Sequence, residues 1–257
     1  SHTVWNGHIN GEDDLTYQRW LYLDKYLNFV AETGTVRPLE YFRYDASGDM
    51  YTQPITYVKG ALVLHMLRQI MGDRSFYRGI SHYLHSNEFS EVDSYDFQRA
   101  MEESSGMNLN AFFEDWIRGG GGFPDIRVSS QWSEQRKQLD LSLEQVQADL
   151  AFENDFQLPV EVEIVTASGS EVHTVTLKGW STIVSLPAET EPLMVNVDKG
   201  NWMVASIHHQ RSLEETTRAL MQADLAVALR AARQLGEDFA PAPATVAALT
   251  SVLGNNQ

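Results

Sequence analysis

Tyr57 is the side chain whose type and position best suit chemistry in this 257-residue sequence. It lies in Ile55-Thr56-Tyr57-Val58-Lys59-Gly60-Ala61, where a long aromatic-rich loop meets an apolar helical run. A neutral phenol can donate a hydrogen bond to a developing oxyanion without adding charge, and the positive end of a helix reinforces that field. The residues alone leave a second reading open, in which Tyr57 is an aromatic staple. Other constellations offer less. With no cysteine, a metal would need His, Asp or Glu, and no His-Glu-x-x-His occurs. His82 and His85 stand three apart on an expected helix, but Ser81, Tyr83 and Ser86 mark that face as solvated. His208-His209 at a junction reads the same way, and His65 reads as a hydrogen-bonded core residue. Nucleophilic catalysis lacks both a Gly-x-Ser-x-Gly elbow and a thiol. The run Gly119 to Gly122 lacks the Gly-Lys-Ser/Thr ending of a phosphate loop and precedes Phe123-Pro124 rather than a helix, so it reads as hinge or tight packing.

The elements that must position these residues follow from periodicity. Gly11 to Val30 carries acids in its first turn and Leu15, Tyr22, Leu23, Tyr26, Leu27 and Val30 at helical spacing. From Thr33 to Pro54 breakers and aromatics alternate, and Tyr41, Phe42, Tyr44 and Tyr51 are expected to pin a long loop to a core. Tyr57 to Met71 is apolar almost all round and predicts a buried helix. Helices over Asp73–Ser86, Ser94–Ser105 and Leu109–Ile117 follow, opened by Asp73, by Asp93 or Ser94, and by Asn108.

After the glycine run the period changes to two. Leu139, Leu141 and Leu143 alternate with polar residues, as do Val160, Val162 and Ile164, while Val172, Thr174 and Thr176 face opposite His173, Val175 and Leu177. Turns at Ser168-Gly169, Lys178-Gly179, Pro187, Pro192 and Lys199-Gly200 make a small β-sandwich the expectation between about 123 and 208. From Arg211, with Ser212 as a cap, Ala-rich helical periodicity returns in a segment too short to bury its own core, like the first units of a helical-repeat array. The chain starts Ser1-His2-Thr3 and stops at Gly254-Asn255-Asn256-Gln257, and both ends read as cut or processed.

Composition bounds the partners. The chain is 43% hydrophobic and 11% aromatic, enough for a real core, and its length suggests two or three domains. A net charge of −16 argues against nucleic acid and anionic lipid as partners. The longest apolar stretch, Ala61 to Leu67, is interrupted by His65 and falls far short of the ~20 residues that span a bilayer. The compartment stays open.

Tyr57-Val58-Lys59-Gly60-Ala61 resembles the Tyr-x-Lys-Gly-Ala segment of the aminopeptidase N family of zinc metallopeptidases, the gluzincin aminopeptidases related to leukotriene A-four hydrolase. Gly72-Asp73 with Phe76, Asp96-Phe97 with Ala100-Met101-Glu102, Ser105-Gly106, Leu109 with Phe112-Phe113 and Trp116, and Gly122-Phe123-Pro124-Asp125 resemble that family in order and spacing. Gln145-Val146-Gln147, Leu158-Pro159-Val160 and Val197-Asp198 continue the likeness, which covers nearly the whole chain.

The resemblance implies a multidomain α+β chain. Residues 1–122 would be the helical half of a thermolysin-like catalytic domain, 123–208 an all-β sandwich, and 209–257 the first helices of an α-helical repeat domain. It implies that Tyr57 is the catalytic tyrosine that donates to the tetrahedral intermediate formed at the first peptide bond of a peptide substrate. Lys59 would serve local pairing and Gly60 close helix packing. The family's His-Glu-x-x-His zinc motif and Gly-x-Met-Glu-Asn anchoring motif are absent from this sequence. The resemblance therefore implies zinc in a parent enzyme, none on this chain alone, and no peptide cleavage by this chain alone. Its first partner would be the missing N-terminal segments of the same protein, and an apolar face left bare by them predicts self-association. The alternative is a non-catalytic scaffold or interaction protein derived from the same family.

Overall fold

A computed structural model describes residues 2–43, 45–119, 121–147, 154–222, 224–239 and 243–254. Helices α1 (His2–Asn10) and α2 (Glu12–Thr33) meet at Gly11, whose φ of 97° no other residue type adopts easily. Helix α2 opens on Glu12, Asp13 and Asp14, which complement its dipole, and ends at left-handed Gly34. Leu15, Arg19, Leu23, Tyr26 and Val30 form its buried stripe. Arg19 was not part of the expected apolar set. Its guanidinium lies 4.6 Å from the ring of Trp202 and donates to Thr16 Oγ1 and to the carbonyl of Gly200, 181 residues away. Burial lowers its pKa to about 10.

The loop that follows contains a short helix α3 (Ser47–Met50) and is not pinned by aromatics as expected. Phe42 is 79% exposed and Tyr51 is exposed as well, while Tyr44 lies outside the described residues. Arg37 and Leu39 do the anchoring: buried Arg37 donates to Thr56 Oγ1 and stacks on Tyr41, and Leu39 packs against the core. The Glu40 N–H donates to the carbonyl of Ile117.

The run expected as one all-round-buried helix is a π-helical turn (Pro54–Lys59) leading into α4 (Gly60–Met71). It is amphipathic, with Ile55, Val58, Leu62, Val63, Met66 and Leu67 inside and Tyr57 and Leu64 outside. Helix α5 (Asp73–Ser86) matches its expected span, but Asp73 is not its cap. Gly72 occupies that position at φ 75°, and the Asp73 carboxylate accepts two hydrogen bonds from Arg68, at 2.6 and 2.8 Å. Helix α6 (Ser94–Ser105) opens with a reciprocal capping box: Asp93 accepts from the Tyr95 and Asp96 N–H groups, and Asp96 accepts from the Asp93 N–H. Asp93→Ala is expected to cost about 1 kcal/mol, read as a lower urea midpoint with an unchanged slope.

A short helix α7 (Asn110–Phe113) runs into a second π-helical turn (Glu114–Arg118), and Trp116 buries its indole 4.8 Å from the ring of Phe156. Gly119 and Gly121, which follow, are tightly packed. Gly121 has φ 81°, and a Cβ there would meet the carbonyl carbon of Arg37 at 2.5 Å. Gly179 has φ 67°, and a Cβ there would meet nothing within 4 Å among the described residues. Gly179→Ala should therefore cost about 1 kcal/mol from backbone strain alone, and Gly121→Ala about 1 kcal/mol more from the clash. Equal midpoint shifts in urea would contradict the close packing at Gly121.

Among the described residues seven strands form two small sheets. In the first, β5 (Ser181–Pro187), β2 (Gln138–Gln145) and β1 (Asp125–Ser133) are antiparallel, and β7 (Ser206–His209) joins β1 in parallel. The second orders β4 (Gly169–Leu177), β3 (Leu158–Thr166) and β6 (Met194–Val197). Leu139, Leu141 and Leu143 of β2 and Val160, Val162 and Ile164 of β3 are buried, as their alternation predicts. On β4, Val175 and Leu177 point inward and Val172 outward.

One apolar cluster runs from α2 and α4 through Phe123 into both sheets, and Phe123 meets Tyr26 edge-on at 5.8 Å. A second cluster joins Met194 to α8 (Leu213–Leu220), α9 (Leu225–Asp238) and α10 (Pro243–Gly254). Ser212 caps α8 as expected and Asp224 caps α9. The expected chain ending at Asn255 to Gln257 lies outside the described residues. Among the described residues no helix is long and apolar enough to cross a membrane.

Candidate active-site tyrosine and its surroundings

Tyr57 is held by its neighbours. Ile55 and Val58 are sunk in the core on either side of it, and Pro54 enters the turn without a donor to waste. The carbonyl of Thr52 accepts from the N–H groups of Ile55 and Thr56, and the Gly60 N–H reaches the carbonyls of Ile55 and Tyr57. A π-helical turn widens the backbone by one residue, and such turns recur at functional sites. This one turns Tyr57 outward, leaving it 56% exposed, and its hydroxyl makes no hydrogen bond among the described residues. The segment 37–40 ties this turn to the second one, through Arg37 to Thr56 and Glu40 to Ile117.

Lys59 and Gly60 do not play the parts expected of them. Lys59 is fully buried and its Nζ has no hydrogen-bond partner among the described residues, lying 5.7 Å from the ring centre of Tyr26. Burial, with a smaller push from Arg37, lowers its pKa from 10.5 to about 8. A Cβ on Gly60 would meet Leu39 at an ordinary 3.8 Å, so no close approach demands glycine.

The histidines separate into three settings. His82 Nε2 is 2.9 Å from Glu103 and His85 Nδ1 is 2.7 Å from the carbonyl of Ser81, both on the exposed face of α5. His65 is not hydrogen-bonded at its buried Nε2 and instead stacks on Trp202 at 4.7 Å. Burial and nearby Arg19 and Arg68 lower its pKa to about 3. His208 and His209 line a cavity of about 730 Å³ between α2, β7 and α9, to which Tyr57 does not contribute. His208 pairs with Asp125 at 2.9 Å, which raises its pKa, while burial lowers that of His209. Among the described residues no three His, Asp or Glu side chains gather as metal ligands. A catalytic zinc takes three such protein ligands. The described side chains therefore do not by themselves supply the ligand set of such a zinc centre.

Residues 21–116 match the profile described as the Peptidase family M1 domain. This segment belongs to peptidase family M1. The M1 segment runs from α2 to Trp116 and contains Tyr57, Lys59 and Gly60, in line with the resemblance to aminopeptidase N. Probable aminopeptidase 2 of Sulfurisphaera tokodaii is 24% identical over 194 residues, covering 71% of this chain and 23% of that protein. Tricorn protease-interacting factor F2 of Thermoplasma volcanium is 31% identical over 115 residues, 45% of this chain and 14% of that protein. The aminopeptidase A structure from Legionella pneumophila, in complex with aspartic acid, superposes over 96% of this chain and 30% of its own, with a TM-score of 0.73 and 17% identity, a likeness of fold. The chain spans 9 to 23% of the length of the curated relatives it matches.

Proposed function

We propose that this chain is the C-terminal portion of a zinc aminopeptidase, in which Tyr57 stabilises the oxyanion formed when the N-terminal peptide bond of a peptide is hydrolysed. The observation that carries the reading is an outward-facing phenol with an uncommitted hydroxyl, fixed by a buried turn inside the M1 segment. As the scissile carbonyl becomes tetrahedral, its oxygen gains negative charge. A preplaced O–H donor gains most at that moment, because it need not reorganise. Residues 1–122 would then form the helical half of a thermolysin-like catalytic domain, 123–208 its sandwich neighbour and 209–257 the opening of a helical-repeat domain. Zinc ligands, general base and amino-terminus anchor would come from residues outside these 257, and so would the surface that covers Tyr57.

The test uses the protein that carries this chain together with such segments. It should release the first residue from peptides with a free amino terminus and leave N-acetylated peptides intact. Turnover that survives Tyr57→Phe unchanged would overturn the role given to Tyr57, and no turnover at all would favour a non-catalytic scaffold.

A further inference from the structure

The cavity between α2, β7 and α9 is a second site, independent of the aminopeptidase reading. We propose that it binds a small oxyanion, a carboxylate or a phosphate. At about 730 Å³ it has the size of an ordinary ligand pocket. Four arginines and three carboxylates line it, in a chain whose net charge is −16. The hydrogen-bond accounting of its wall is one-sided. Of the carboxylates, Asp24 is taken up by Arg233 at 2.7 Å, Asp238 accepts from Gln234, and Glu237 stands exposed at the rim.

Unpartnered nitrogens are what remain: Asn201 Nδ2 and Arg211 Nε are donors, and His209 Nε2 is one in the tautomer that carries its proton there. Asn201, His209 and Arg211 each carry a buried nitrogen, Nδ2, Nε2 and Nε, without a hydrogen-bond partner among the described residues. Asn201 is 4% exposed and His209 9% exposed. The other edge of the Arg211 guanidinium is fixed, donating to the carbonyl of Val195 at 2.7 Å and to Asn196 Oδ1 at 3.0 Å, while Glu215 lies 3.9 Å from Nε, beyond hydrogen-bond reach. Arg230 lines the same wall, facing buried Asp198 at 3.5 Å and donating to the carbonyls of Asp198 and Lys199, and it still adds to the lowering of the Arg211 pKa that burial begins.

Each buried donor without a partner is costly, and two nearby guanidinium groups add repulsion. An oxyanion offers several lone pairs and a negative charge, so one ligand relieves both penalties. All three residues line the cavity although these nitrogens are themselves buried, so binding requires a side-chain rotation at each. A cation would find Asp24 and Asp238 already engaged.

The experiment is thermal unfolding of the full 257-residue chain with malonate or inorganic phosphate, against chloride at matched ionic strength. At tenfold over its Kd the preferred anion should raise Tm by about 3 °C beyond chloride, and which of the two does so identifies the source of the oxyanion. Asn201→Asp keeps the size and suits the φ of 54° at this position but replaces a donor with a charge, and it should abolish the shift. If that variant fails to fold by circular dichroism, Arg211→Lys, with calorimetry as readout, should weaken binding at least about tenfold. No shift beyond chloride with either anion overturns the proposal, as does a shift left intact in the folded variants.

Discussion

If Tyr57 has the role proposed, then in the protein that carries this chain together with zinc-bearing segments Tyr57→Phe is expected to lower kcat by about 10²- to 10³-fold with little change in KM, the loss that follows removal of one oxyanion donor. The substitution removes a single oxygen from a side chain that is already 56% exposed and anchored by its neighbours, so the fold should not notice it. Ile55 and Val58 hold the turn from below, and Arg37 holds it through Thr56. Substrate in the ground state needs no strong donor at its carbonyl, which is why the deficit should fall on kcat. A variant with raised KM and unaltered kcat would make Tyr57 a binding residue. Steady-state rates on a free-amino peptide, with urea midpoints to show equal stability, decide between these outcomes.

The second large effect concerns Lys59. In the folded chain its pKa is about 8 against 10.5 for a free lysine. Below pH 8 the amine is protonated in both states and the desolvation penalty is fully present. Between about pH 8 and 10.5 the folded state releases the proton while the unfolded state keeps it, so stability rises with pH across that window. The whole rise is on the order of 3 kcal/mol, of which about 2 kcal/mol should be gained by pH 9.5. Lys59→Met keeps the volume and removes the titration. Its loss of a cation over Tyr26, worth about 1 kcal/mol, is smaller than the penalty it lifts, so the variant should be the more stable protein at pH 7. Urea unfolding of both chains at pH 7 and about 9.5 checks this, because every other titration is shared and cancels in the difference. Parallel stability at the two pH values would mean that the amine is solvated or paired.

The lone buried amine also explains why Lys59 could not be read correctly beforehand. A lysine in Tyr-Val-Lys-Gly reads locally as a partner for some carboxylate. Its place on the inward side is settled by the π-helical turn, which shifts the register by one residue and sends Tyr57 out and Lys59 in. Such a turn leaves no mark in apolar spacing. The same limit applies to Asp73, where composition at a helix start suggests a cap, yet Arg68 competes for the carboxylate and wins with two charge-assisted hydrogen bonds.

What sequence alone determined is what periodicity and short motifs encode. Helices α5 and α6 fall on their expected spans because local start signals, Gly72 for the one and the Asp93 capping box for the other, lie within a dozen residues of their apolar faces. The inward faces of β2, β3 and β4 follow from alternation. Tertiary structure decided the matters that need a distant partner. Arg19 is buried because Trp202 and the carbonyl of Gly200 arrive from 181 or more residues away. Strand β7 pairs in parallel with β1, which brings His208 and His209 beside α2 and α9 and so creates the cavity between them. Local patterns record which face of an element is apolar. They do not record what that face, or a lone polar group upon it, will meet, because the meeting is chosen by the packing of the whole chain.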